Sequence, residues 1–143
     1  MRYKVFVDTN ILLSGIFFEG NESKVLDLVE IDLITSEDVV SELRQVVQKK
    51  LRYLKERTLE IALLETERAL SDIMVIPRSS YSQKIKNAEK LISHKKDIPI
   101  LAAVLLAKPD YFLTGDAHFF ADKVKKVVTV MTAKDFLDKI EGK

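Results

Sequence analysis

Four carboxylates lie at the ends, the starts or the edges of apolar segments of the sequence. Asp8 and Asp116 each follow a short apolar run, Asp97 precedes a long one, and Glu42 flanks a helical stripe of apolar residues. Because the chain has no cysteine and two histidines, a metal site would use mainly oxygen ligands. Carboxylates that lie close together stay ionised only if a cation neutralises them. These residue types favour Mg²⁺ or Mn²⁺, an ion that can activate water for phosphoester hydrolysis.

The segment around Asp8 predicts a strand followed by a helix. Lys4 is followed by three apolar residues, Val5, Phe6 and Val7, which is typical of a parallel strand buried on both faces. The residues beyond predict a tight turn and a helix with Thr9 and Asn10 as caps. Asp8 would then lie at the carboxyl end of a central strand, where open α/β sheets bind ligands. Taken alone, an Asp in this place is more often only a cap or turn residue.

The rest of the chain alternates predicted strands and helices. Strands are predicted at residues 31–34, 73–76, 111–114 and 127–130. Helices are predicted at residues 24–30, 59–70, 85–92 and 100–107 and after Thr132, with a loop at 79–82. A further helix is predicted to start at residues 35–38 and to carry apolar residues from 39 to 54. This alternation predicts a three-layer α/β/α fold with a parallel, roughly five-stranded sheet, formed by residues 1–143 as a single domain. Such a sheet would place all four acids at one rim, although four unrelated capping or surface acids remain the alternative.

The composition is that of an ordinary globular protein. The 143 residues suit one domain with a core, and 47% hydrophobic residues make the chain too apolar to be disordered. No apolar run reaches membrane-spanning length, and the amino terminus has no signal-peptide pattern. Together with the absence of cysteine, these features predict a cytoplasmic protein.

The net charge of +1 conceals a segregated distribution. Residues 1–42 hold three basic and nine acidic side chains, whereas residues 43–57 and 78–96 each hold six basic and one acidic side chain. Basic segments beside an acidic rim would suit a nuclease that holds a phosphate backbone. Lys95 and Lys96 are the strongest candidates because they directly precede Asp97, although a solvated helix face is the commoner role of a single lysine. Tyr53 and Tyr81 could stack on bases, but half-buried tyrosines are commoner.

Four motifs, in this order, resemble those of the PIN-domain ribonucleases. They are residues 5–10, residues 41–43, Asp97 at the start of an apolar helix, and residues 111–116. The resemblance covers the whole chain, whose length is similar to that of VapC-like toxins of toxin–antitoxin pairs. It implies a PIN-like fold of Rossmann-like topology and an endoribonuclease that cleaves single-stranded or structured RNA. It further implies a homodimer and an antitoxin partner.

The resemblance also assigns roles to individual residues. The implied Mg²⁺ or Mn²⁺ ligands and catalytic residues are Asp8, Glu42, Asp97 and Asp116. The implied supporting polar groups are Thr9, Asn10 and Thr114, and the candidate substrate contacts are Lys95, Lys96 and His118.

The chain departs from the family pattern at two places. Many members carry an acid shortly before the third Asp, where this chain has His94, Lys95 and Lys96, and many carry another two positions after the last Asp, where it has His118. These departures leave the number of metal ions open. They also leave open a non-catalytic or weakly catalytic RNA- or protein-binding module. His118 would be a substrate contact or proton carrier, although a structural loop histidine is commoner.

Other site types each lack a required feature. The four glycines are scattered, so there is no glycine-rich phosphate loop. Haloacid-dehalogenase phosphatases need a second Asp where Asn10 stands, and a response-regulator receiver needs an acid at the end of its third strand, where Ile76 and Pro77 stand. A serine nucleophile would have no suitable histidine partner.

Overall fold

The computed structural model of the protein describes residues 2–50 and 58–142. The strands are β1 (Tyr3–Val7), β2 (Ile31–Ser36), β3 (Met74–Ile76), β4 (Tyr111–Leu113) and β5 (Val130–Met131). The helices are α1 (Thr9–Phe17), α2 (Asn21–Leu26), α3 (Glu37–Lys49), α4 (Leu59–Leu70), α5 (Arg78–Tyr81), α6 (Ile85–Glu89), α7 (Ile98–Ala107), α8 (Asp122–Lys125) and α9 (Ala133–Ile140). Short 3-10 turns cover Ser82–Lys84 and Ala117–Phe120.

The five strands form one parallel sheet in the order β3-β2-β1-β4-β5. In the central strand β1, Val5 pairs in register with Leu33 of β2 and with Tyr111 of β4. Val5, Phe6 and Val7 are all buried, as expected when helices cover both faces of a parallel sheet. The predicted three-layer α/β fold with a parallel, five-stranded sheet is therefore confirmed.

The order of the strands creates a crevice at the carboxyl edge of the sheet. The chain moves outward from β1 to β3 and then returns to the other side of β1 as β4, so the direction of winding reverses between β1 and β4. A helix that connects two parallel strands runs antiparallel to them and begins at the carboxyl edge. Helices α1, α3 and α7 therefore begin at the edge where β1 and β4 end.

An aromatic cluster holds the segment after β4 against the sheet. The ring of Phe112 packs edge-on against Phe6, with 5.5 Å between centroids, and against Phe119, with 4.9 Å. Phe119 is completely buried and belongs to the 3-10 turn that follows Asp116. The position of this turn is therefore set by the core.

Several predicted boundaries were wrong for local reasons. Asp8, rather than Thr9 or Asn10, caps α1, since its side chain accepts from the Thr9 amide. Helix α2 begins earlier than predicted, because Gly20 is its N-cap and the Ser23 hydroxyl accepts from the Gly20 amide. The fifth strand is limited to Val130–Met131.

The predicted loop at 79–82 is helical. Pro77 begins the turn in an extended conformation, and its carbonyl accepts from the Ser80 amide at 2.9 Å. The Arg78 amide donates to Glu37 Oε1 at 2.8 Å, which ties α5 to the start of α3. Residues 51–57 lie outside the described residues, so the structure does not test the predictions made for Leu51, Arg52, Tyr53, Leu54, Lys55 and Arg57. No helix among the described residues is both long and apolar enough to cross a bilayer.

Candidate active site

Asp8 is held rigidly at the corner between β1 and α1. Its side chain is buried, with 4% of the residue exposed. Oδ1 accepts from the Thr9 amide at 2.7 Å, and Oδ2 accepts from the Thr114 hydroxyl at 2.6 Å. The Asp8 amide donates to the Leu113 carbonyl at 3.2 Å, which continues the pairing of β1 with β4. Both carboxylate oxygens are therefore oriented by neighbouring elements.

The surroundings of Asp8 disfavour its charge. Burial raises its pKa to about 6, and the hydrogen bonds from Thr114 and Thr9 oppose this rise. The nearby carboxylates of Glu42 and Asp116 raise the pKa further. Within residues 2–50 and 58–142, no lysine or arginine forms an ion pair with Asp8. The site thus has a deficit of positive charge around a buried carboxyl group.

Thr114 links Asp8 to Asp116 at the end of β4. Its buried hydroxyl donates to Asp8 Oδ2 and accepts from the Asp116 amide at 3.0 Å. Asp116 in turn caps the following 3-10 turn, since its Oδ1 accepts from the His118 amide at 2.9 Å. One hydroxyl therefore sets the spacing between the two acids that follow β1 and β4.

Asp97 reaches the same edge from the start of α7. It is buried, and its carboxylate makes no capping bond to its own helix. Instead, Oδ2 lies 2.9 Å from Nδ1 of His118 and 3.3 Å from Nδ1 of His94. Burial raises the pKa of Asp97 and the Asp116 charge adds to this, while the two histidines lower it. Asp97 is thus close to Asp116 and to both histidines of the chain.

Glu42 completes the group from the α3 side. It is partly buried, and with Asp97 and Asp116 it lines a pocket of about 520 Å³ at the carboxyl edge. Lys49, His94 and Lys96 also line this pocket. The structure therefore brings together all four acids singled out in the sequence, with the charges of Glu42 and Asp116 acting on Asp8 and the charge of Asp116 acting on Asp97.

The family follows from a comparison with known domains. A model of the PIN domain matches residues 6–137. The chain belongs to the PIN-domain family.

Solved structures share the fold of this PIN domain at low sequence identity. A chain of the VapBC2 complex from Rickettsia felis, bound to a promoter DNA fragment, is 18% identical with a TM-score of 0.65, covering 90% of this chain and 98% of that one. A chain of VapBC-1 from nontypeable Haemophilus influenzae is 16% identical with a TM-score of 0.66, covering 92% and 98%. PAE2754 from Pyrobaculum aerophilum is 12% identical with a TM-score of 0.65, covering 99% and 91%. No curated protein matches the chain.

The other candidate residues of this PIN domain lie in different environments. The hydroxyl of Thr9 is buried and has no hydrogen-bond partner in the described part of the chain. Asn10 is exposed on the first turn of α1. Lys95 and Lys96 are both exposed, and only Lys96 lines the pocket.

Some basic and aromatic side chains near the PIN-domain site already have structural partners. Arg44 pairs with Glu67 at 2.7 Å, and Arg78 pairs with Asp38 at 2.6 Å. Tyr81 is completely buried and donates its hydroxyl to Asp38, so its suggested stacking on bases is wrong.

Sequence reasoning missed that His94 and His118 both contact Asp97. The signal was the spacing of His94 three residues before Asp97, which one turn of chain can bring together.

Proposed function

We propose that this PIN-domain protein is a metal-dependent endoribonuclease that hydrolyses RNA phosphodiester bonds. The observation that carries the proposal is the convergence of Asp8, Glu42, Asp97 and Asp116 at one edge of the sheet. Burial raises the pKa of Asp8 and of Asp97, and neighbouring carboxylates add to both rises, so a divalent cation would stabilise the ionised forms of these acids. A set of carboxylate oxygens fits Mg²⁺ or Mn²⁺.

In this proposal Asp8, Asp97 and Asp116 are the principal metal ligands. Glu42 completes the ligand set or positions the attacking water. When bound, the ion would lower the pKa of water and stabilise negative charge on the leaving oxygen. Thr114 orients Asp8 by its hydrogen bond at 2.6 Å, and the Thr9 amide fixes the other oxygen of Asp8. Asn10, exposed on the adjacent turn, supports the site from its rim.

The substrate would be held through its phosphates. Lys96 and Lys49 line the pocket, and Lys95 is exposed beside it. Lysines in such positions attract an RNA backbone without reading its sequence. His118 contacts Asp97 and Asp116 through Nδ1, which leaves Nε2 as the atom for a contact with RNA.

We further infer that this activity belongs to the toxin of a toxin–antitoxin pair. The similarity in fold to chains of VapBC complexes supports this role. In this proposal an antitoxin protein blocks the acidic edge of the sheet, and the toxin forms a homodimer. Residues 1–143 form a single nuclease domain that acts on RNA in the cytoplasm.

The direct test is RNA cleavage by the purified protein with Mn²⁺ or Mg²⁺ and with a chelator. Wild type should cleave only with the metal, and Asp8→Asn and Asp116→Asn should each abolish cleavage. Asp135→Asn is the matched control, because Asp135 is exposed on α9 and does not line the pocket. Retained cleavage in Asp8→Asn or Asp116→Asn would refute the assigned roles.

One observation favours a non-catalytic or weakly catalytic RNA- or protein-binding module. The contacts of Asp97 with His94 and His118 already compensate part of its charge and oppose the rise of its pKa, so a metal would gain less from this ligand than from a carboxylate without such partners. RNA binding that is unchanged by Mn²⁺, without cleavage in any metal, would support this second function.

A further inference from the structure

The two histidines of the chain form a ligand set of their own with Asp97. Nδ1 of His94 and Nδ1 of His118 both approach the same oxygen of Asp97, at 3.3 and 2.9 Å. One possible ligand atom from each of the three residues lies within 4.8 Å of the others. The imidazole rings stack with 4.4 Å between centroids and 25° between planes. Two nitrogen ligands thus face one carboxylate from the same side.

We propose that His94, Asp97 and His118 bind a divalent transition metal such as Zn²⁺ or Co²⁺. Imidazole is a good ligand for these ions, whereas Mg²⁺ prefers oxygen. The proposed nuclease site shares Asp97 with this set but does not use the histidines as metal ligands. The transition-metal site therefore has a metal preference different from that of the carboxylates, and it stands whether or not the protein cleaves RNA.

The distances suit a tetrahedral ion with small adjustments. Ligand atoms bound at about 2.0–2.1 Å in tetrahedral geometry lie about 3.3 Å apart. Asp97 Oδ2 lies 3.3 Å from Nδ1 of His94 and 2.9 Å from Nδ1 of His118. Asp116 Oδ1 lies 3.1 Å from His118 Nδ1 and is the nearest further carboxylate to that ligand. The two separations from Asp97 are thus within a few tenths of an ångström of this spacing, and the ligand atoms of the two histidines lie within 4.8 Å of each other.

The two segments that carry the histidines are already positioned. The Asp97 amide donates to the His94 carbonyl at 3.0 Å, which closes the turn between these two ligands. The His118 amide donates to Asp116, and the adjacent Phe119 is anchored in the core. The side chains of His94 and His118 are 50% and 51% exposed, so an ion can reach them from solvent. Little ordering would be needed on binding, which favours affinity.

The competing explanation is that the histidines only compensate the charge of buried Asp97. In that case the set would show no preference for a transition metal over Mg²⁺. The presence of two histidines in the whole sequence makes the test sharp, because every histidine signal of the untagged protein comes from this set.

The experiment titrates the untagged, metal-free protein with Zn²⁺ by calorimetry and with Co²⁺ by visible absorption, both in excess Mg²⁺. We expect one ion per chain, cobalt bands typical of nitrogen and oxygen ligands, and shifts of both histidine signals in NMR spectra. His94→Gln and His118→Asn should each weaken binding by about tenfold or more, whereas Asp135→Asn should not change it. Thermal unfolding without metal checks that each variant is folded.

Two results would overturn the proposal. One is the absence of Zn²⁺ and Co²⁺ binding in excess Mg²⁺, and the other is binding that both histidine variants retain. Mn²⁺-dependent RNA cleavage by the same proteins separates this inference from the proposed function. Cleavage without Zn²⁺ binding would refute the histidine site alone, and Zn²⁺ binding without cleavage would refute the nuclease alone.

Discussion

Replacement of Asp8 by asparagine should make the metal-free protein more stable at neutral pH. Burial raises the pKa of Asp8 from 3.8 to about 6 in the folded protein. The folded protein then binds this proton more tightly than the unfolded chain does. The contribution of Asp8 to the free energy of unfolding is therefore fully present below pH 3.8 and is lost as the pH rises through about 6. Asparagine stays neutral and can still accept from the Thr9 amide, so it avoids this loss.

The magnitude follows from the shift in pKa. Each pKa unit corresponds to about 1.36 kcal/mol, so a rise of about two units makes ionised Asp8 unfavourable by about 3 kcal/mol at neutral pH. Asparagine must exchange the hydrogen bond from the Thr114 hydroxyl for a weaker one, at a cost of about 1 kcal/mol. We therefore expect Asp8→Asn to raise the free energy of unfolding by about 2 kcal/mol near pH 7.5. The gain should disappear near pH 4, where Asp8 is protonated.

The assay is urea unfolding of wild type and Asp8→Asn at about pH 4, 5.5 and 7.5 with a chelator. Asp135→Asn serves as the control for removal of a carboxylate that is exposed. Addition of Mn²⁺ at neutral pH should stabilise wild type more than Asp8→Asn, because the ion would bind the ionised carboxylate. A difference in stability that is the same at all three pH values would refute the reasoning, as would an Asp8→Asn protein less stable than wild type at pH 7.5.

Three further substitutions test the surroundings of the site by urea unfolding. Thr114→Val should lower the free energy of unfolding by about 1–3 kcal/mol, because it leaves Asp8 without a buried donor, and Thr114→Ser should recover most of the loss. Thr9→Val should raise the free energy of unfolding by about 1 kcal/mol, since the Thr9 hydroxyl is buried without a hydrogen-bond partner among the described residues. A lower free energy of unfolding in this variant would show that the hydroxyl is hydrogen-bonded. Tyr81→Phe should lower the free energy of unfolding by about 1–3 kcal/mol in wild type and by less in an Asp38→Asn background. An equal decrease in both backgrounds would contradict a stabilising hydrogen bond between Tyr81 and Asp38.

Much of the fold could be predicted because its signals are local. The apolar run before Asp8 and the fully apolar run of α7 each require burial on all sides, and this requirement predicts a parallel sheet covered by helices. The segments that were mispredicted depend on distant partners. The turn at 79–82 is helical because Arg78 and Tyr81 are bound by the start of α3, far away in sequence.

The sequence by itself determined which acids stand at the ends of strands and the starts of helices, and hence that they share one edge of the sheet. It could do so because direction along a parallel strand or its connecting helix is a topological property, independent of side-chain detail. Only the tertiary structure decided how these groups affect one another. The pKa of Asp8, its bond to Thr114 and the approach of both histidines to Asp97 depend on distances between atoms that are up to 106 residues apart in the chain. Such distances follow from the packing of the whole core and are not encoded in any single segment.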